Sequence, residues 1–170
     1  MKLIIINGPS CSGKSSVVKE LMLAEKNFFH LSFDTLKWLF SFYDNSRHRV
    51  DIEDILLSAA ALLCERNYNL VCDASLYKSF RDKLIKIAAK SGYQVIEANL
   101  KVSPEILADR FEQRVVSATA TPGSRISNIS PDRFKKLVGI YDNEKNPSAK
   151  VFRSDEMSSR DIAAALLEDF

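Results

Sequence analysis

Apolar residues in this 170-residue chain come in blocks whose spacing switches between that of buried strands and that of one-sided helices. Leu3–Ile6 is a continuous run of Leu and Ile, the pattern of a strand covered on both faces. A helix is predicted from Lys14 to about Ala24, a second strand over Phe28–Phe33, and a short helix near Asp34–Phe42. Tyr43–Val50 (YDNSRHRV) is polar and reads as a loop. Asp51 then opens a helix in which Ile52, Ile55, Leu56, Ala59, Ala60 and Leu63 fall on one face. Further strands are predicted at Leu70–Cys72, Tyr93–Leu100 and Val151–Phe152, and a helix over Ser79–Ala89.

Ser103-Pro104-Glu105 carries a capping serine, a proline suited to the first helical position and an acid in the first turn, so a helix starts there. Ser130-Pro131-Asp132 repeats the signature, and Ser158 or Ser159 caps a last helix. Between the first two starts, Ser117–Ile129 (SATATPGSRISNI) is rich in breakers and small polar residues, as expected of a functional loop. Strands alternating with helices imply right-handed crossovers and a parallel sheet between helices, an α/β fold. With no repeat or linker in the pattern, residues 1–170 read as a single domain, with a lid at approximately 115–130.

Composition changes this picture little: 46% hydrophobic, 27% charged and a net charge of +2 describe an ordinary globular chain. The charge announces no nucleic-acid binder, although a local patch would suffice for phosphate contacts. Three cysteines, Cys11, Cys64 and Cys72, have no disulfide-framework spacing and favour a reducing compartment. The first apolar run is too short for a membrane span or signal segment. The expectation is a soluble cytoplasmic protein with no membrane partner.

The chemistry starts at residues 8–15, GPSCSGKS, directly behind the first strand and opening a helix. Gly8-x-x-x-x-Gly13-Lys14-Ser15 satisfies the P-loop template, in which backbone N–H groups and a helix N-terminus cradle phosphates. Lys14 is placed to reach the β- and γ-phosphates, and the Ser15 hydroxyl to ligate Mg²⁺. Gly8, Pro9, Ser10, Cys11, Ser12, Gly13, Lys14, Ser15 and Ser16 are therefore the expected ATP-binding run. Cys11 is read as a small loop residue rather than a reactive thiol.

Two acids end predicted strands. Asp73 follows Leu70-Val71-Cys72 and suits a carboxylate holding Mg²⁺ through water. Asp34, in HLSFDTLKW, reaches the same sheet edge and suits a base that orients an attacking hydroxyl. Lys37 lies one turn further on. Arg110 and Arg114 share a helix face before the breaker-rich segment, which carries Arg125 and no acid. Such a loop suits a lid closing over phosphates. An Asn-Lys-x-Asp guanine reader is absent from the sequence.

These motifs resemble the small P-loop kinases, and within them the 5′-hydroxyl polynucleotide kinase domain and the chloramphenicol phosphotransferase group, with zeta-toxin kinases more distant. IIINGPSCSGKSSVVKEL and FHLSFDTLKWLF are similar to the phosphotransferase segments. NLVCDASLYKSFRDKLIKIAAKSGYQV resembles the polynucleotide kinase strand-Asp-helix segment. The resemblance implies an adenylate-kinase-like core with five parallel strands in the order 2-3-1-4-5. It further implies ATP and Mg²⁺ as cofactors, Lys14, Asp34 and Arg114 as catalytic residues, and Arg110 near adenine. Polynucleotide kinases usually carry an arginine shortly after the base; here the position is Lys37.

The acceptor stays open between a 5′-hydroxyl nucleic-acid end and a small molecule such as an antibiotic, nucleoside or sugar. Lys37, Trp38, Arg47 and Arg49 are candidate acceptor contacts, with Phe33, Phe40, Phe42 and Tyr43 forming either an aromatic pocket or core. The reading is an ATP-dependent transfer of the γ-phosphoryl group to a hydroxyl. A nucleotide switch or ATPase acting through a protein partner is the alternative. Oligomeric state is not legible.

Overall fold

The computed structural model describes residues 1–73, 78–120, 130–132, 134, 135, 138 and 148–168. The elements are β1 (Lys2–Asn7), α1 (Lys14–Ala24), β2 (Phe28–Leu31), α2 (Phe33–Lys37), α3 (Asn45–Glu65) and β3 (Asn69–Cys72). They continue with α4 (Lys78–Lys90), β4 (Gln94–Lys101), α5 (Pro104–Ala120), β5 (Lys150–Arg153) and α6 (Ser159–Leu167). All strand pairs are parallel, and the sheet order is β2-β3-β1-β4-β5, as expected.

β1 sits at the centre, which is why its apolar run is unbroken. Leu3, Ile4, Ile5 and Ile6 are fully buried, each contributing about 1.5–3 kcal/mol. Alternation divides them between two cores. Leu3 and Ile5 pack with Leu31, Ile52, Leu56, Phe80 and Leu84 under α3 and α4. Ile4 and Ile6 pack with Val17, Leu21, Val71, Ile96 and Ile162 under α1 and α6. A third, smaller cluster joins Leu107 and Phe111 of α5 to Phe134, whose ring stacks on Phe111 at 4.2 Å.

Several boundaries depart from the sequence reading. The loop expected over Tyr43–Val50 is largely helix: Asp44 caps α3, its Oδ1 accepting from the Ser46 N–H at 2.7 Å. Apolar periodicity starts only at Ile52, so the polar opening of α3 gave no periodic signal. Likewise α5 runs to Ala120, through the start of the expected lid and breaker-rich loop. The rest of that loop, residues 121–129 with Arg125, lies outside the described residues. Ser130 does open a helical segment, in which Pro131, Asp132, Phe134, Lys135 and Val138 are helical. β2 also stops at Leu31 because Ser32 caps α2, its Oγ accepting from the Thr35 N–H at 3.3 Å. Among the described residues, no helix is long and apolar enough to cross a membrane.

Candidate active site

The loop between β1 and α1 is built on backbone conformations that its residue types dictate. Gly8 has φ 150°, Cys11 68° and Gly13 92°. A Cβ on Gly8 would stand 2.6 Å from Ser12 Oγ and 3.0 Å from the Leu100 carbonyl, so only glycine fits. Gly13 is the N-cap of α1 and offers no side-chain acceptor to the first-turn N–H groups. An uncapped helix N-terminus of this kind supplies donors and a positive end to a phosphate.

Lys14 Nζ donates to the carbonyls of Gly8 and Pro9, both at 2.8 Å, and so curls across the loop. Burial pushes its pKa down to about 8, against the raising influence of Asp73, Asp34 and Cys11 and with a further lowering by Arg114. Asp73, Asp34 and Arg114 are thus all within electrostatic reach of one ammonium.

Arg110 and Arg114 come from the face of α5 turned to the loop. Arg110 donates to the Ser154 carbonyl at 2.9 Å and to the Cys11 carbonyl at 3.5 Å. Arg114 reaches Ser10 Oγ at 3.5 Å and Cys11 Sγ at 4.0 Å. Cys11 itself packs against the Leu107–Phe111–Phe134 cluster, a packing role consistent with its reading as a plain loop residue.

Asp34 stands in the first turn of α2, with Ser32 in the capping role. Its carboxylate is 71% exposed and meets the ammonium of Lys37, which is 12% exposed. Lys37 Nζ also lies 5.1 Å from the centre of the Trp38 ring. The aromatic group divides: Phe33, Phe40 and Tyr43 pack on the core, whereas Trp38 and Phe42 are exposed.

Arg47, His48 and Arg49, adjacent in sequence, do not form one patch. On a helix they turn about 100° apart. Arg47 is exposed, while Arg49 is half-buried with its Nε 3.8 Å from Glu53 Oε1. The His48 ring lies tilted against Phe40 and Tyr43, and its Nδ1 accepts from the Asp44 N–H.

Three contributors escaped the sequence reading. Ser154, after β5, donates from its Oγ to the Ser12 carbonyl at 2.7 Å, tying the far strand to the loop. Asp155 accepts from the Ser103 N–H at 2.8 Å, which fixes the entry to α5. His30 on β2 places Nε2 3.0 Å from Asp73 Oδ1. None lies in a motif; their strand-end positions were the available signal.

The oxygen set of Ser15 and Asp73 beside a phosphate cradle fits Mg²⁺, which binds few protein ligands and keeps water and phosphate oxygens. Among the described residues, no group of three His, Cys, Asp or Glu could hold a metal. The cradle at Gly8 and the open end of α1 fit a nucleotide's phosphates.

Residues 3–137 match the sequence family described as an AAA domain, and the chain belongs to that family. No curated protein matches it. Its fold is shared with a kinase candidate from Chloroflexus aurantiacus, at 15% identity and TM-score 0.75, covering 99% of this chain and 98% of that one. It is shared with the Mycobacterium tuberculosis APS kinase CysC, solved with AMPPNP and APS, at 18% identity and TM-score 0.63, covering 98% and 95%. Chaetomium thermophilum Kti12, solved with ADP-AlF3, gives 14% identity and TM-score 0.67 over 98% and 97%. The core is that of an adenylate-kinase-like P-loop NTPase, and the likeness extends over several kinase families instead of singling out the polynucleotide kinase group.

Proposed function

We propose that this AAA-domain protein is an ATP-dependent kinase that transfers the γ-phosphoryl group to a hydroxyl acceptor. The observation carrying this reading is the convergence on Lys14: an ammonium held in a phosphate cradle, with Asp73, Asp34 and Arg114 all acting on it. A phosphate-binding loop alone serves switches and ATPases. A second carboxylate beside the transfer point, on the acceptor side of the sheet edge, suits a hydroxyl that must be oriented and deprotonated.

The roles follow from position. Lys14 releases the loop carbonyls and pairs with β- and γ-oxygens, while the loop amides hold the β-phosphate. Ser15 and Asp73 would hold Mg²⁺, which supplies charge neutralisation of the phosphates when bound. Arg114 neutralises charge on the transferring group, and Arg110 organises the loop and the turn after β5. Asp34 accepts the acceptor's proton. Such catalysis is positioning and electrostatics, with little covalent work for the protein.

The acceptor side favours a small molecule over a nucleic-acid end. Lys37 is engaged by Asp34 and Arg49 pairs with Glu53, which leaves Arg47 as the exposed cation of the three and argues against a phosphate track. A Janibacter sugar kinase and an RNA repair complex both share the fold, so the preference rests on these basic residues. The test uses γ-labelled ATP and Mg²⁺ with a panel of sugars, nucleosides and aryl alcohols beside 5′-hydroxyl oligonucleotides. Label on a small alcohol, lost in Asp34→Asn, supports the reading. Label on the oligonucleotide alone moves the acceptor to nucleic acid. ATP hydrolysis that no acceptor changes supports a switch.

A further inference from the structure

The contact between His30 and Asp73 joins two strands at the edge where the phosphates would lie. β2 pairs with β3 in parallel, His30 opposite Val71 and Leu31 opposite Cys72. His30 is therefore two residues short of Asp73 in register and must reach forward along the sheet to meet it. It does so to 3.0 Å, from a side chain that is 28% exposed to one that is 12% exposed. Nε2 is itself buried and lies off the line of a good hydrogen bond, with no hydrogen-bond partner among the described residues. A buried imidazole nitrogen is costly to leave in this way, and burial of that kind in a native site calls for an explanation.

We infer that His30 is a positioning residue: it holds one carboxylate oxygen of Asp73, leaving the other to face the metal's water shell. The inference rests on the reading of Asp73 as a magnesium-holding acid. Its physical basis is competition for one carboxylate. Asp73 acts on the Lys14 ammonium, and an unrestrained aspartate turns toward its nearest cation. An aspartate drawn to Lys14 is withdrawn from the metal and takes Lys14 from the phosphates. The imidazole, anchored on β2, offers Asp73 a second contact from the side of β3 away from β1. Partners of this kind behind a metal-holding group typically carry a factor of 10–100 in metal affinity.

The experiment measures binding of a fluorescent ATP analogue to the full chain while Mg²⁺ is titrated, and again in EDTA. Wild type is compared with His30→Ala and with His30→Gln, which keeps an N–H donor of similar reach. The expected result is an approximately tenfold higher Mg²⁺ requirement in His30→Ala, unchanged affinity in EDTA, and recovery of most of the loss in His30→Gln. Thermal melting of the nucleotide-free variants reports folding separately. An unchanged Mg²⁺ requirement in His30→Ala overturns the inference. So does an equal loss with and without Mg²⁺, which marks a structural residue. If wild type fails to bind the ATP analogue at all, the kinase reading itself falls, an outcome distinct from either.

Discussion

Lys37 Nζ lies 2.5 Å from Asp34 Oδ1, so the acid proposed as base is already held by a lysine three residues away. The lysine is the buried member of the pair and the acid the exposed one. Lys37 therefore steers Asp34 by holding it, and contacting an acceptor phosphate would require it to let go. Asp34→Asn is expected to lower phosphoryl transfer by about 10²–10⁴-fold with ATP affinity nearly unchanged. Lys37→Ala is expected to lower transfer less, by roughly tenfold, because the base is retained but loses its orientation. Single-turnover transfer and equilibrium nucleotide binding separate the two effects.

Burial holds the pKa of Lys14 down to about 8, whereas pairing with phosphate would favour its charged form. Binding above that pH requires reprotonation, so ATP affinity should fall as pH rises through about 8. The decline approaches tenfold per pH unit until the complex itself titrates. Calorimetry in buffers of different ionisation enthalpy should detect proton uptake on binding near pH 9. Lys14→Met removes the uptake and lowers transfer by at least about a hundredfold.

The same depressed pKa has a stability consequence. Between about 8 and 10.5 the unfolded chain holds a proton at Lys14 that the folded chain has released, so stability rises with pH across that window. Below it, the buried charge opposes folding. Without nucleotide, Lys14→Met should be more stable than wild type at pH 7 by on the order of 1–3 kcal/mol. The difference should shrink toward pH 10.5. Urea unfolding at pH 7 and pH 9.5 measures it.

Backbone conformation makes the loop sensitive at one position and permissive at another. Gly8→Ala drives a Cβ to 2.6 Å from Ser12 Oγ and 3.0 Å from backbone, and should cost about 2–4 kcal/mol and abolish ATP binding. Cys11 is left-handed at φ 68° without being glycine. Cys11→Gly should leave stability within about 1 kcal/mol and retain nucleotide binding, whereas the β-branched Cys11→Val should lose both. Thermal melting with and without ATP distinguishes these cases.

Arg110 ties the loop to the turn after β5 through two backbone carbonyls. Arg110→Lys retains the charge but loses the fork that spans both, and should weaken ATP binding by roughly tenfold. Ser154→Ala removes the hydroxyl donor to the Ser12 carbonyl and should cost about 1 kcal/mol of stability. A double-mutant cycle should show that the two effects are coupled, since both act on one junction.

The amino-acid sequence by itself determined the phosphate-binding loop, the succession of strands and helices, and the two strand-end acids. Each depends on local rules. Glycine at forced backbone angles, serine before proline at helix starts, and unbroken apolar runs at central strands all act within a few residues. The sheet order came through family resemblance, with the central run of β1 agreeing. Where local rules were silent the reading failed. The opening of α3 has no apolar stripe and is held by one aspartate cap, so it passed for a loop. The candidate acceptor contacts Arg47 and Arg49 consequently stand on a helix, which turns successive residues about 100° apart. The contacts His30–Asp73, Ser154–Ser12 and Asp155–Ser103 join residues 43, 142 and 52 positions apart. Such pairs exist only because a parallel sheet brings the ends of all its strands to one edge. Sequence spacing carries no trace of that meeting, which tertiary structure alone decided.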